Sequence, residues 1–72
     1  MGKNIQTALG ARIRKLRKAQ EWSQERLAEY SGMHWTYIGQ VERGERNLTL
    51  QSIQAIAKAL GLKISELFRG VD

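Results

Sequence analysis

The 72-residue sequence has no cysteine and no proline. Without cysteine, disulfides, thiolate metal sites and cysteine nucleophiles are excluded. Its one histidine, His34, cannot by itself form a histidine-rich metal site. No apolar run approaches the roughly 20 residues of a membrane span, and no signal-peptide pattern opens the chain. A cytoplasmic protein that contacts no membrane is therefore expected. Without proline, segment ends must be set by glycine and by capping side chains. The length fits one domain over residues 1–72, near the lower limit at which a core holds without disulfides, metal or oligomerisation.

What the chain does have is positive charge. Twelve Lys and Arg against seven Asp and Glu leave a net charge of +5, which favours polyanionic partners but does not establish one. The distribution is more telling. Residues 1–20 carry Lys3, Arg12, Arg14, Lys15, Arg17 and Lys18 and no acid. As an isolated run, these cations fit a solvated helix face as well as a binding face.

The apolar series Ile5, Leu9, Ile13, Leu16 marks one face of a helix over about 5–20. Ser23 reads as the N-cap of a second helix over 23–31, with Glu25 in its first turn and Ser31-Gly32 at its end. A third helix spans 34–43 and stops at Gly44. Thr49 caps a fourth over 49–60, with the stripe Leu50, Ile53, Ile56, Ala57, Leu60. A short fifth helix covers 63–69. No useful alternating pattern predicts a strand, so the expected fold is all-α with five short helices. Helices two and three, joined by a short glycine-containing turn, have the form of a helix-turn-helix.

At about 100° per residue, His34, Tyr37, Ile38, Val41 and Glu42 fall on one side of the third helix. Trp35, Thr36, Gly39, Gln40 and Arg43 fall on the other. Ile38 and Val41 belong to a core, so the second set faces outward. It holds an aromatic ring, a hydroxyl, an amide and a guanidinium, the groups that read base edges and thymine methyls, and no acid. Gly39 costs roughly 1 kcal/mol relative to alanine in mid-helix. Its expected purpose is close approach of another surface; the other reading is a neutral surface glycine, or one packed against a neighbouring helix. An exposed Trp35 calls for a partner; the other reading folds it back over helix two as a core lid. No nucleophile, base and oxyanion donor assemble around His34 or elsewhere, so an enzyme is not expected.

These residues carry a family likeness. Ser23-Gln24-Glu25-Arg26-Leu27-Ala28, Ser31-Gly32-Met33, Tyr37-Ile38, Val41-Glu42-Arg43-Gly44-Glu45-Arg46 and Ile56-Ala57-Lys58-Ala59-Leu60-Gly61 through Glu66-Leu67-Phe68 resemble the phage repressor/Cro type of helix-turn-helix protein. Within it, the chain most resembles the controller proteins of restriction–modification systems. The resemblance implies a homodimer on a pseudo-palindromic double-stranded DNA operator, with helix three in the major groove. It implies that Gln24 meets a phosphate at a helix N-terminus. Trp35, Thr36, Tyr37, Gln40 and Arg43 then form the reading helix, and Arg46 and Asn47 grip phosphate or a base from the next loop. It pairs Arg17 with Glu42 as a structural ion pair, and it makes RNA polymerase a further candidate partner. No cofactor and no metal are expected. Two positions depart from the likeness: controllers often carry Arg in place of Trp35 and Asp or Ser in place of His34, so operator sequence does not transfer.

Leu62, Ile64, Leu67 and Phe68 crowd large apolar groups into seven residues. A monomer would leave them as an exposed patch. Ile64, Leu67 and Phe68 are the expected dimer interface; in the competing reading Leu62 and Leu67 close the chain's own core. A rival function from another class is a protein-interaction module of the same fold, such as an antitoxin that masks a partner. It would be expected to need an extra partner-binding segment.

Overall fold

The computed structural model describes residues 4–71. Five helices follow one another: α1 (Ile5–Ala19), α2 (Gln24–Ser31), α3 (Trp35–Glu42), α4 (Leu50–Ala59) and α5 (Ile64–Leu67). Among the described residues there is no strand. Each helix is shorter than its sequence pattern because capping residues lie outside it. Asn4, Ser23 and Thr49 each accept a backbone N–H of the first turn, at 2.9, 3.0 and 3.0 Å. Such caps are worth about 1 kcal/mol each. At α5 the roles reverse: the Lys63 backbone N–H donates to Glu66 Oε1 at 2.8 Å, so a lysine suffices at that cap position.

Helix α3 packs against α1 and α2, α4 against α2, and α5 against α4. The centre of the core is Ile13, Leu27, Ile38, Val41, Ile56 and Leu67. Burial of a large aliphatic side chain contributes about 1.5–3 kcal/mol, so these six dominate the stability of so small a domain. Periodicity overstates the apolar faces at their ends. Ile5 and Leu50 open their helices beyond the edge of the core and are largely exposed.

Leu67 is 0 % exposed. The expectation that it forms part of a dimer interface is therefore corrected: α5 turns it inward, and Leu67 itself has no surface to offer a second copy. Ile64 is 43 % exposed, and Phe68 is partly buried against the core. After α5 the chain returns to the core at Val71. Arg12 fixes this corner, donating to the Glu66 and Leu67 carbonyls at 2.9 and 3.3 Å at the C-terminal end of α5.

Two glycines set how closely elements approach. A Cβ on Gly10 of α1 would overlap the Val41 carbonyl oxygen and lie 2.9 Å from that of Glu42. Gly44, at φ +76, ends α3 and meets Thr7, whose Cα would lie 2.8 Å from an added Cβ. Together they let α1 pass directly over the C-terminal end of α3.

Candidate nucleic-acid interface

Helix α2 ends at Gly32, whose φ of 74° turns the chain into α3 after two residues. His34 caps α3: its Nδ1 accepts the Thr36 backbone N–H at 3.2 Å and lies 2.8 Å from the Thr36 hydroxyl. The nitrogen that accepts the N–H is unprotonated, so we assign the Thr36 hydroxyl as donor to it and the ring proton to Nε2. This leaves the Thr36 oxygen free to accept. The His34 ring stacks beside Trp35, with centroids 6.0 Å apart.

Trp35 is 49 % exposed, Thr36 is exposed beside it on α3, and Arg43, which caps the C-terminal end of α3, is exposed as well. The indole that covers the core is Trp22, partly buried and 4.8 Å from the Tyr30 ring. Gln40 is half-buried, and its Oε1 accepts from Arg46 Nε at 2.9 Å. The Arg46 guanidinium lies over the ring of Tyr37, 5.4 Å from its centroid. Tyr37 itself packs against the core, so it offers Arg46 a platform. Arg43 forms a two-bond pair with Glu45 at 3.1 and 3.2 Å. The hydrogen bond and charge of Glu45 raise the Arg43 pKa above its ordinary value. Asn47 Oδ1 accepts from Gln6 Nε2, which ties the α3–α4 loop to α1.

Beneath this surface lies a buried charged network. Arg17 donates to both oxygens of Glu42, at 2.6 and 3.0 Å, and to the Trp22 carbonyl at 2.7 Å. Gln24 Nε2 donates to the same carboxylate at 3.1 Å. Glu42 thus holds three elements: α1 through Arg17, the start of α2 through Gln24, and α3 on which it sits. Gln24, expected from the sequence to meet a phosphate, is aimed by this bond across α3.

Gly39 is corrected by the same geometry. It is buried, and an added Cβ would lie 3.3 Å from Arg43 Nη1 and 3.4 Å from Gln24 Oε1. The glycine makes room for the chain's own Gln24 and Arg43 side chains rather than for an incoming surface. The helical wheel gives the side of α3 on which Gly39 lies but cannot show what covers it.

Sequence reasoning missed Gln6, Gly10 and Trp22. Their signals are weak: a polar residue, a mid-helix glycine and an aromatic just after a helix, with meaning only once α1 lies over α3. Among the described residues, no group of three potential metal-binding side chains forms, and no helix is long and apolar enough to cross a membrane.

A glycine-turned pair of short helices, with the second showing an aromatic ring, a hydroxyl and an amide on its outer side, has the form of a helix-turn-helix DNA-binding regulator. Residues 13–67 match the family described as Helix-turn-helix. Control protein C.SmaI of Serratia marcescens is 47% identical over 64 residues, which cover 89% of this chain and 76% of that protein. Control protein C.BamHI of Bacillus amyloliquefaciens is 41% identical over 68 residues, covering 93% and 84%. The crystal structure of the restriction–modification controller C.AhdI from Aeromonas hydrophila shares 47% identity and a TM-score of 0.84, covering 86% of this chain and 94% of that one. The controller C.Esp1396I, solved as a tetramer in complex with its natural 35 base-pair operator, has a TM-score of 0.87 at 31% identity, covering 97% and 92%. The chain belongs to the helix-turn-helix family and, within it, to the control proteins of restriction–modification systems. It is a transcriptional regulator and not an enzyme.

Proposed function

We propose that the chain binds a pseudo-palindromic operator as a homodimer, with α3 in the major groove, and through it controls restriction–modification genes. The observation that carries this reading is the outer face of α3: Trp35, Thr36, Gln40 and Arg43 stand on it, while its only carboxylate, Glu42, is buried and paired. Gln24 and the loop residues Arg46 and Asn47 flank that face and supply phosphate contacts. Phosphate contacts carry much of such affinity. If a dimer neutralises about six phosphates, log affinity falls with log salt at a slope of about −5. Titrating a duplex recovered by selection at several salt concentrations measures it, and a flat response contradicts the reading.

Trp35 is assigned to an apolar contact with bases, because an exposed indole cannot make the two-bond guanine contact of an arginine. Trp35→Ala is expected to keep the wild-type melting temperature and lose about tenfold in operator affinity, about 1.4 kcal/mol. A large fall in melting temperature with affinity preserved would show that the ring serves the fold instead.

The dimer face is built on Ile64, with Phe68 beside it, now that Leu67 is committed to the core. A two-fold pair built there sets the two α3 helices to enter successive major grooves, about 34 Å apart. Sedimentation equilibrium at micromolar concentration should find a wild-type dimer and an Ile64→Asp monomer. A variant that dimerises normally removes Ile64 from the interface. RNA polymerase as a further partner rests on the regulator reading alone, with no residue assigned to it.

A further inference from the structure

Five cations lie between positions 12 and 18, and the fold sorts them into two groups. Arg12 holds the end of α5, and Arg17 holds Glu42. Arg14, Lys15 and Lys18 play neither part. They are exposed and, among the described residues, their side chains make no hydrogen bond or ion pair. With Ala11 and Glu42 they line an open depression of about 250 Å³. The one acid of that depression is neutralised by Arg17, so its free charge is wholly positive.

Two further observations relate this strip to α3 and α5. Glu42 is a wall of the depression and also holds Gln24, which lies beside Arg43 over Gly39. The strip is thus continuous with the edge of the reading face. At about 100° per residue, Arg14 and Lys18 lie about 200° and 240° around α1 from Arg12, while Lys15, at about 300°, forms the edge of the strip nearer Arg12. Arg12 points at α5, the helix on which the dimer face is proposed above. Arg14 and Lys18 therefore point away from the two-fold axis.

We infer that Arg14, Lys15 and Lys18 form a second, sequence-independent phosphate-binding strip that grips the operator backbone on the outer flank of each half-site. This rests on the operator-binding reading above. The strip holds cations without aromatic or large apolar neighbours in its lining, which suits a polyanionic backbone and offers nothing to read a base or bury against a protein.

The test compares the wild type with a triple variant, Arg14→Gln, Lys15→Gln and Lys18→Gln, on two duplexes. One carries the selected site plus about one helical turn of arbitrary sequence on each side; the other ends at the half-sites. On the long duplex the wild-type salt slope should be steeper than the variant's by about 0.9 for each phosphate that the variant leaves unneutralised, about 2–5 for a dimer. On the short duplex the two proteins should have equal slopes, and base preference should be the same throughout. Arg14→Lys alone should keep the wild-type slope. An unchanged melting temperature is expected, since all three side chains are exposed. Equal slopes on the long duplex overturn the strip while leaving the operator reading intact. A difference of the same size on the short duplex places the contacts inside the site and also overturns it. Failure of the wild type to bind either duplex overturns both.

Discussion

Glu42→Ala should cost about 3–5 kcal/mol of stability, because it strands the Arg17 guanidinium in a site built to neutralise it. The Glu42 side chain is 2 % exposed and that of Arg17 9 %, and the pair is closed at both carboxylate oxygens. Domains of this size have few kcal/mol to spare, so the variant should be largely unfolded near 37 °C. Gln24 loses its anchor in the same step, which would loosen the start of α2 even where the fold survives. Thermal denaturation by circular dichroism checks the expectation. A Glu42→Ala protein that melts with the wild type would mean that the pair contributes no net stability.

Gly10→Ala tests the closeness of α1 to α3, and here two effects oppose each other. Alanine in mid-helix gains about 1 kcal/mol over glycine. Against it stands a Cβ placed on backbone, overlapping the Val41 carbonyl oxygen and 2.9 Å from Glu42's. Backbone cannot rotate aside as a flexible side chain can, so α1 and α3 must separate. Overpacking of this kind costs about 3 kcal/mol. The clash wins by about 2 kcal/mol, a fall of about 8–16 °C in melting temperature for a domain of this size. A variant that melts higher than the wild type would show that the helices yield easily.

The readily legible parts of the fold are those encoded locally. Ser23 and Thr49 cap helices because their side-chain oxygens reach the first turn, and the runs around Ile13, Ile38 and Ile56 bury because their spacing follows the helical repeat. Periodicity does not know where a core ends, which is why spacing assigns Ile5 and Leu50 to apolar faces that stop short of them. Gly10 and Gly39 illustrate a deeper limit: each is empty space reserved for a group brought to it by packing, and only the packed structure names that group. At the interface, residue types on one helix face point to α3, and the pairing of Arg17 with Glu42 comes through family likeness rather than spacing. The links Arg43–Glu45, Arg46–Gln40 and Gln6–Asn47 are invisible in the sequence, since each depends on how the loop after α3 folds back.

The proposal that α3 reads DNA from a two-fold dimer can be checked by selecting bound duplexes from a random pool with the wild-type protein. The expected product is an enriched site made of two inverted half-sites with centres about one helical turn, roughly 34 Å, apart. A pool that stays random after repeated selection, or an enriched site without two-fold symmetry, would contradict it.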